Sequence, residues 1–272
     1  MENLKIWKNT SILNDFNEGL SFTDEKSLAN IIVLGSRSID INEFPKLKGI
    51  FRAGVGRDNV PISECSKKNI HVEFPSEKTR LSLFEETANY TVSLALRMAY
   101  PAPSISLPWE KKNRQSLEEK HALVIGLGNI GKRVKQKLEV LMNVSSFDIL
   151  TNKDDELEGL IRSADIISLH IPNIPENNNF FDKVKLGWMM QDAILINTAR
   201  ANLVNEASLY DALSERRIRA AFDVFWKEPY SGALKDFYPD SFFMSPHIAS
   251  SSNEFFLGCR NDLDRMLSSL QI

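Results

Sequence analysis

Cysteine is scarce in this chain: Cys65 and Cys259 are the only two among 272 residues. Two thiols allow at most one disulfide, and the reduced pair of a cytoplasmic protein is the expectation. No CxxC or Cys/His cluster occurs, so no metal site is expected. No apolar run approaches the roughly 20 residues of a membrane-spanning helix. The opening Met1-Glu2-Asn3-Leu4-Lys5 lacks the apolar core of a signal peptide. A large excess of charge of either sign is missing as well, with 33 Lys and Arg against 36 Asp and Glu. A net charge of −3 gives bulk electrostatics no reason to favour nucleic acid or a membrane surface. Internal repeats and low-complexity tracts are absent. What remains is 43% hydrophobic and 25% charged, the composition of a globular protein, at a length that exceeds one ordinary core and fits two domains.

Short apolar runs alternate with helix-period segments. Residues 30–34, Gly49 to Ala53 and Ile70 to Phe74 read as strands closed by glycine or proline. Ser82 to Tyr100 carries Leu83, Phe84, Ala88, Thr91, Val92, Ala95, Leu96 and Ala99 at helical spacing, stopped by Pro101 and Pro103. The stretch from Pro101 to Lys120, with three prolines and Glu110-Lys111-Lys112, reads as a linker. Further strands are expected at 122–125, 145–147, 166–169, 193–196, 220–224 and 242–244. Helices are expected along Val134, Leu138 and Leu141, at 156–163, and from an N-cap at Ser252 to Leu270. The alternation predicts an α/β fold of two domains: residues 1–100 with 250–272, and residues 101–249.

Gly126-Leu127-Gly128-Asn129-Ile130-Gly131 follows an apolar strand and opens a helix, the context that lifts a GxGxxG pattern above chance. Gly126 permits the tight turn, Gly128 lets a pyrophosphate approach the backbone, and Gly131 lets helix and strand pack. Amides near Asn129 and Ile130 are then candidates to donate to phosphate oxygens. Asp148 lies 17 residues after Gly131, at the end of the next strand. A carboxylate there accepts from ribose hydroxyls and repels a 2′-phosphate, which favours NAD over NADP; Lys153 nearby weakens that preference.

Three later strands end in polar residues. Ile194 to Asn197 leads to Thr198-Ala199-Arg200, Ala221-Phe222-Asp223 to Glu228-Pro229, and a third to Ser245-Pro246-His247. The carboxyl ends of parallel strands are where α/β proteins place ligands. Together with Gly54-Val55-Gly56-Arg57-Asp58-Asn59, Ser82-x-x-Glu85 and Ala164-Asp165-x-x-Ser168-x-His170-x-Pro172, these motifs make residues 30 to 260 resemble the D-isomer-specific 2-hydroxyacid dehydrogenase family. The resemblance implies a Rossmann-type NAD-binding domain, a flavodoxin-like substrate domain and NAD as cofactor. It further implies a 2-oxo or 2-hydroxy acid as substrate and a homodimer. It implies roles too. Arg200 would bind the substrate carboxylate and carbonyl through its planar fork. His247 would be the acid/base and Glu228 would orient its ring. Val55 and Gly56 would help hold the substrate carboxylate. Asp223 would face the nicotinamide carboxamide, Thr198 would line the cofactor groove, and His170 and Pro172 would border the adenine side.

The chain departs from the family pattern in places. Ala201 stands where glycine is usual, at a cost of about 1 kcal/mol if positive φ is needed there. Asn205 replaces the usual Asp, Ile174 a Thr, and Glu86 a His. Only 15 residues separate Asp148 from Ala164, which predicts that the sheet's next edge strand is missing or vestigial. Residues 52–59 are most similar to phosphoglycerate dehydrogenases, with Arg52, Arg57, Lys78 and Arg80 as candidate phosphate ligands beside the alternative of solvated surface charge. The rival reading of the chain as a whole is an NAD-sensing, corepressor-like scaffold with little turnover.

Overall fold

Short apolar runs become the parallel strands of two sheets in the computed structural model, which describes residues 4–100 and 113–270. Most of the expected linker lies outside the described residues. The chain divides into two compact units, Met1–Leu83 with Ser250–Ile272, and Phe84–Ala249.

The first unit holds β1 (Lys5–Lys8), β2 (Ser21–Phe22), β3 (Ile31–Leu34), β4 (Gly49–Arg52) and β5 (His71–Glu73), with α1 (Ile62–Lys67) and the start of α2 (Glu77–Ala99). All pairings are parallel, in the order β2-β1-β3-β4-β5. That is the flavodoxin-like arrangement. Ile32, Leu34 and Ile50 meet Ile41, Phe44, Cys65 and Ile70 in one apolar cluster.

The second unit holds β6 (His121–Ile125), α3 (Asn129–Leu138), β7 (Asn143–Phe147), α4 (Glu156–Arg162), β8 (Ile166–Leu169), α5 (Lys183–Trp188), β9 (Ala193–Asn197), α6 (Glu206–Ser214), β10 (Ile218–Phe222) and β11 (Phe242–Met244). Its sheet is parallel throughout, in the order β11-β10-β9-β8-β6-β7. Strand residues alternate between two cores. Leu123, Ile125, Ile167, Leu169, Leu195 and Phe222 point one way, and Ala122, Val124, Ile166, Ile194, Ile196 and Ala221 the other. A sheet buried on both faces explains the near-continuous apolar runs. The chain then returns to the first unit as α7 (Asn253–Leu270). There the Asp262 carboxylate accepts from the Ser76 amide at 2.8 Å, and Arg260 donates to the Phe16 carbonyl at 2.8 Å.

Several boundaries differ from the sequence expectation. The division between units falls inside α2, after Leu83, because Ala88, Leu94, Ala95 and Met98 pack on the second sheet's core. α2 also starts five residues earlier than its apolar period, since Glu77-Lys78-Thr79-Arg80 is a polar first turn. β10 begins at Ile218 rather than 220. Arg219 interrupts the apolar run there and donates to the Met98 carbonyl. Ser252 does cap α7, accepting from the Phe255 amide at 3.2 Å. β1, β2, α1, α5 and α6 are too short or too polar to show in periodicity. No strand lies between β7 and β8 in the chain, and β7 is the edge of the sheet. The Asp148 carbonyl accepts from the Thr151 and Asn152 amides, and this turn leads into α4.

Candidate active site

Where β6 ends, its neighbours β7 and β8 diverge in sequence order, and the crevice at such a switch point is where doubly wound folds bind ligands. Gly126 sits there at φ 92°, and a Cβ on it would meet the His170 carbonyl oxygen at 2.6 Å. A Cβ on Gly131 would run into the Gly126 carbonyl. Gly128 is different: a Cβ there would meet no protein atom within 4 Å. Crowding by the protein does not demand this glycine. It N-caps the ten-residue α3 with no side-chain cap, and so leaves open space in front of the amides that begin the helix. That space and the helix dipole fit a pyrophosphate. Asp148 lies beside it. One carboxylate oxygen accepts from the Leu127 amide at 2.7 Å and the other from the Leu150 amide at 3.0 Å, and each oxygen keeps a lone pair for a hydroxyl. The residues present therefore fit a dinucleotide with a free ribose diol. His170 stands against the fingerprint, its Nε2 2.8 Å from the Ser168 hydroxyl, and burial pushes its pKa down to about 3, so the ring is neutral. Pro172 is exposed two residues on, its carbonyl accepting from Asn177.

Arg200, Glu228 and His247 follow the ends of β9, β10 and β11, which are in register: Asn197 pairs with Phe222 and Phe222 with Met244. The structure brings Glu228 and His247 together. His247 Nδ1 is 3.0 Å from each carboxylate oxygen, and Glu228 Oε1 also accepts from the Phe225 amide at 3.1 Å. Both side chains keep partial access to solvent, 32% for His247 and 25% for Glu228. His247 lies at φ 56°, a conformation that is uncommon and costly for a residue with a Cβ. Arg200 is half-buried and donates to the Ala199 carbonyl at 2.8 Å, while Asn197 closes its turn by donating to the Arg200 carbonyl. Ala201 needs no positive φ: it opens a short 3-10 turn and is buried, so the substitution for glycine is accommodated. Asn205 serves as the N-cap of α6, accepting from the Ser208 amide at 2.9 Å.

Asp223 and Thr198 are placed differently from what the resemblance implies. Asp223 is fully buried, and its oxygens accept from the Ser245 hydroxyl at 2.6 Å and the amides of Ile248 and Ala249 at 2.9 and 2.8 Å. Burial raises its pKa, against those three donors. Its carboxylate thus ties down the turn that carries His247 instead of facing outward. The Thr198 hydroxyl is likewise taken, 2.7 Å from that of Thr91 in α2. Sequence reasoning gave no role to Ser245 and counted Thr91 only as a core position. The usable signal was a threonine on the apolar stripe of α2.

In the first unit, Val55 and Gly56 are half-buried in the loop after β4. Arg52 shapes that loop from beneath. It is buried and donates to the carbonyls of Gly56 and Ala53 and to the Asn59 side chain at 3.0–3.1 Å. Arg57 stacks over Phe74 with its guanidinium 4.7 Å from the ring. The expectation of Arg52 as a phosphate ligand is corrected by this geometry: its donors are turned into the loop. Among the described residues no group of three or more His, Cys, Asp or Glu side chains could hold a metal ion. No helix there is long and apolar enough to cross a membrane.

Comparison with known proteins agrees with this architecture. Residues 106–249 match the profile of the D-isomer specific 2-hydroxyacid dehydrogenase, NAD binding domain. The D-3-phosphoglycerate dehydrogenase of Methanocaldococcus jannaschii is 33% identical over 204 residues, covering 70% of this chain and 39% of that one. The hydroxypyruvate reductase of Thermotoga maritima is 31% identical over 229 residues, covering 79% and 75%. In fold, the D-lactate dehydrogenase from Aquifex aeolicus, solved with NAD and lactic acid, is similar with a TM-score of 0.78 at 20% identity, over 97% of this chain and 94% of that one. The chain belongs to the D-isomer specific 2-hydroxyacid dehydrogenase family, and its second unit carries that family's NAD-binding domain. It spans 39% and 46% of the length of the Methanocaldococcus and Archaeoglobus fulgidus D-3-phosphoglycerate dehydrogenases that it matches.

Proposed function

We propose that the protein is an NAD-dependent oxidoreductase that interconverts a small 2-oxo acid and the corresponding D-2-hydroxy acid. One observation carries this reading: His247 Nδ1 lies 3.0 Å from both oxygens of Glu228, on a sheet whose β6 end bears the dinucleotide fingerprint. An Nδ1–H held by a carboxylate leaves Nε2 as the reactive nitrogen. In reduction Nε2–H gives its proton to the oxygen of the carbonyl, and in oxidation neutral Nε2 takes the hydroxyl proton. Bound NAD(H) supplies or accepts the hydride at C2. Arg200 binds the substrate carboxylate and polarises the carbonyl through its fork of donors. Asp148 selects NAD by its ribose hydroxyls. The first unit is assigned to substrate recognition, through the loop that carries Val55 and Gly56. Arg52's engagement with that loop leaves Arg57, Lys78 and Arg80 as the candidate ligands of a phosphorylated acid.

The test is NADH oxidation against glyoxylate, hydroxypyruvate, pyruvate and phosphohydroxypyruvate. Turnover that falls by about 10²–10⁴ in His247→Ala supports the reading. Saturable NADH binding with no turnover on any of the four would favour the sensor instead. A cytoplasmic homodimer completes the proposal, with two reduced, buried cysteines in its support. Sedimentation should give twice the 30.9 kDa chain mass, and a monomer would remove the dimer.

A further inference from the structure

The glycine-rich loop after β4 is held by a buried polar network, and the way it is held fixes which of its amides remain for a ligand. Arg52 ends β4 and is buried. Its Nε donates to the Gly56 carbonyl and to Asn59 Oδ1, each at 3.1 Å, and a terminal nitrogen donates to the Ala53 carbonyl at 3.0 Å. A Cβ on Gly54 would run into the guanidinium, so the glycine makes room for it. Asn59 is buried in turn. Its Nδ2 donates to the Gly35 carbonyl at 2.8 Å and to the Arg37 carbonyl at 3.1 Å, in the loop after β3. Asn9, just past β1, accepts from the Gly35 amide at 2.6 Å and donates to the same Arg37 carbonyl at 3.2 Å. The carboxyl ends of β1, β3 and β4 are thereby tied together.

The peptide plane carries this network's effect to the surface. The Gly56–Arg57 bond is trans, and in a planar trans peptide the carbonyl and the N–H point to opposite sides. Drawing the Gly56 carbonyl onto Arg52 therefore turns the Arg57 amide away from the guanidinium, and Arg57 is exposed. Among the described residues the amides of Val55, Gly56 and Arg57 have no hydrogen-bond acceptor. The Ala53 and Gly54 amides before them are taken, by the carbonyls of Leu34 and Arg52. Successive backbone amides left open in a turn form a concavity for an anion, and a buried positive charge behind them adds to the attraction.

We propose that Arg52 and Asn59 are positioning residues that present the amides of Val55, Gly56 and Arg57 as one site for the carboxylate of the oxo acid, with the Arg57 amide as its third donor. The assignment rests on the dehydrogenase reading for its kinetic consequence, and on the loop's own geometry for the amide site.

The deciding experiment is a proton–nitrogen-15 titration of the full-length wild-type protein, with NADH present, using oxamate as an unreactive analogue of a 2-oxo acid. The amide signals of Val55, Gly56 and Arg57 should move along one binding curve, and the Ala53 signal far less. An Arg57 signal that stays in place while the other two move overturns the third donor. No movement of any of the three overturns the site, and movement with inorganic phosphate where oxamate has none overturns the carboxylate assignment. Arg52→Lys keeps the charge and loses the fork, so the KM of the oxo acid should rise about tenfold with kcat within about twofold. Asn59→Ala should act in the same direction, by about threefold. The Kd for NADH should stay within about twofold in both, as general unfolding would not allow. Variants that lower kcat as much as they raise KM, or change neither, overturn the positioning role. If the wild-type protein turns over no oxo acid, the dehydrogenase reading falls, and the oxamate titration decides the amide site by itself.

Discussion

At the scale of single residues, the site depends on shape as much as charge. Arg200→Lys keeps the positive charge but replaces a planar fork with one ammonium, so KM for the oxo acid should rise by about tenfold or more and kcat should fall. Steady-state kinetics checks this, and near-wild-type constants would remove Arg200 from substrate binding. His170 has a consequence for stability. Its folded pKa is pushed from 6.5 to about 3 by burial, so the unfolded chain binds a proton below pH 6.5 that the folded chain refuses. The stabilisation is complete above pH 6.5 and is lost as pH falls from there toward 3, with a slope of up to about 1.4 kcal/mol per pH unit. Asp223, whose pKa is raised, acts in the opposite sense: its contribution is present below 3.8 and lost as pH rises through its folded pKa. Urea midpoints of wild type and His170→Asn between pH 5 and 7 isolate the histidine: the wild-type curve should fall more steeply on acidification. Parallel curves would contradict the burial argument.

At the scale of elements, local chemistry and packing divide the credit. The fingerprint was legible because it needs three glycines for three reasons, and each of them reappears in the structure. Gly126 takes a backbone twist, Gly131 a close helix contact, and Gly128 an opening in front of α3. α6 escaped the sequence reading, although its N-cap, Asn205, is a standard signal. Asn205→Ala should destabilise the protein by about 1 kcal/mol, seen as a lower urea midpoint with unchanged kinetics. An unchanged midpoint would mean that the cap is replaced by water. α2 was read as one helix of one domain, yet its C-terminal part packs on the other sheet. Periodicity reports that a helix has an apolar face and says nothing of which core that face joins.

At the scale of the whole molecule, ligand binding couples to stability. A ligand that binds only the folded chain stabilises it by about 2.7 kcal/mol at one hundred times its Kd. NADH should therefore raise the unfolding temperature, and Asp148→Ala should reduce that rise far more for NADH than for NADPH. Equal losses would place ribose recognition elsewhere. The short connection after β7 leaves that strand at the edge of the sheet, a feature read from residue count alone and present in the structure.

The order of strands and helices, the dinucleotide turn and the pairing of Glu228 with His247 follow from motifs whose residues are close in sequence or lie at strand ends that a parallel sheet aligns. The sequence by itself determined these, because glycine conformation, strand period and helix capping are local properties. The placement of Arg52, Thr198 and Asp223 was decided only by tertiary structure. Each is a polar residue whose type suits either a ligand or the protein interior. Which one it serves depends on partners such as Gly56, Thr91 and Ser245, brought to it from other segments by folding.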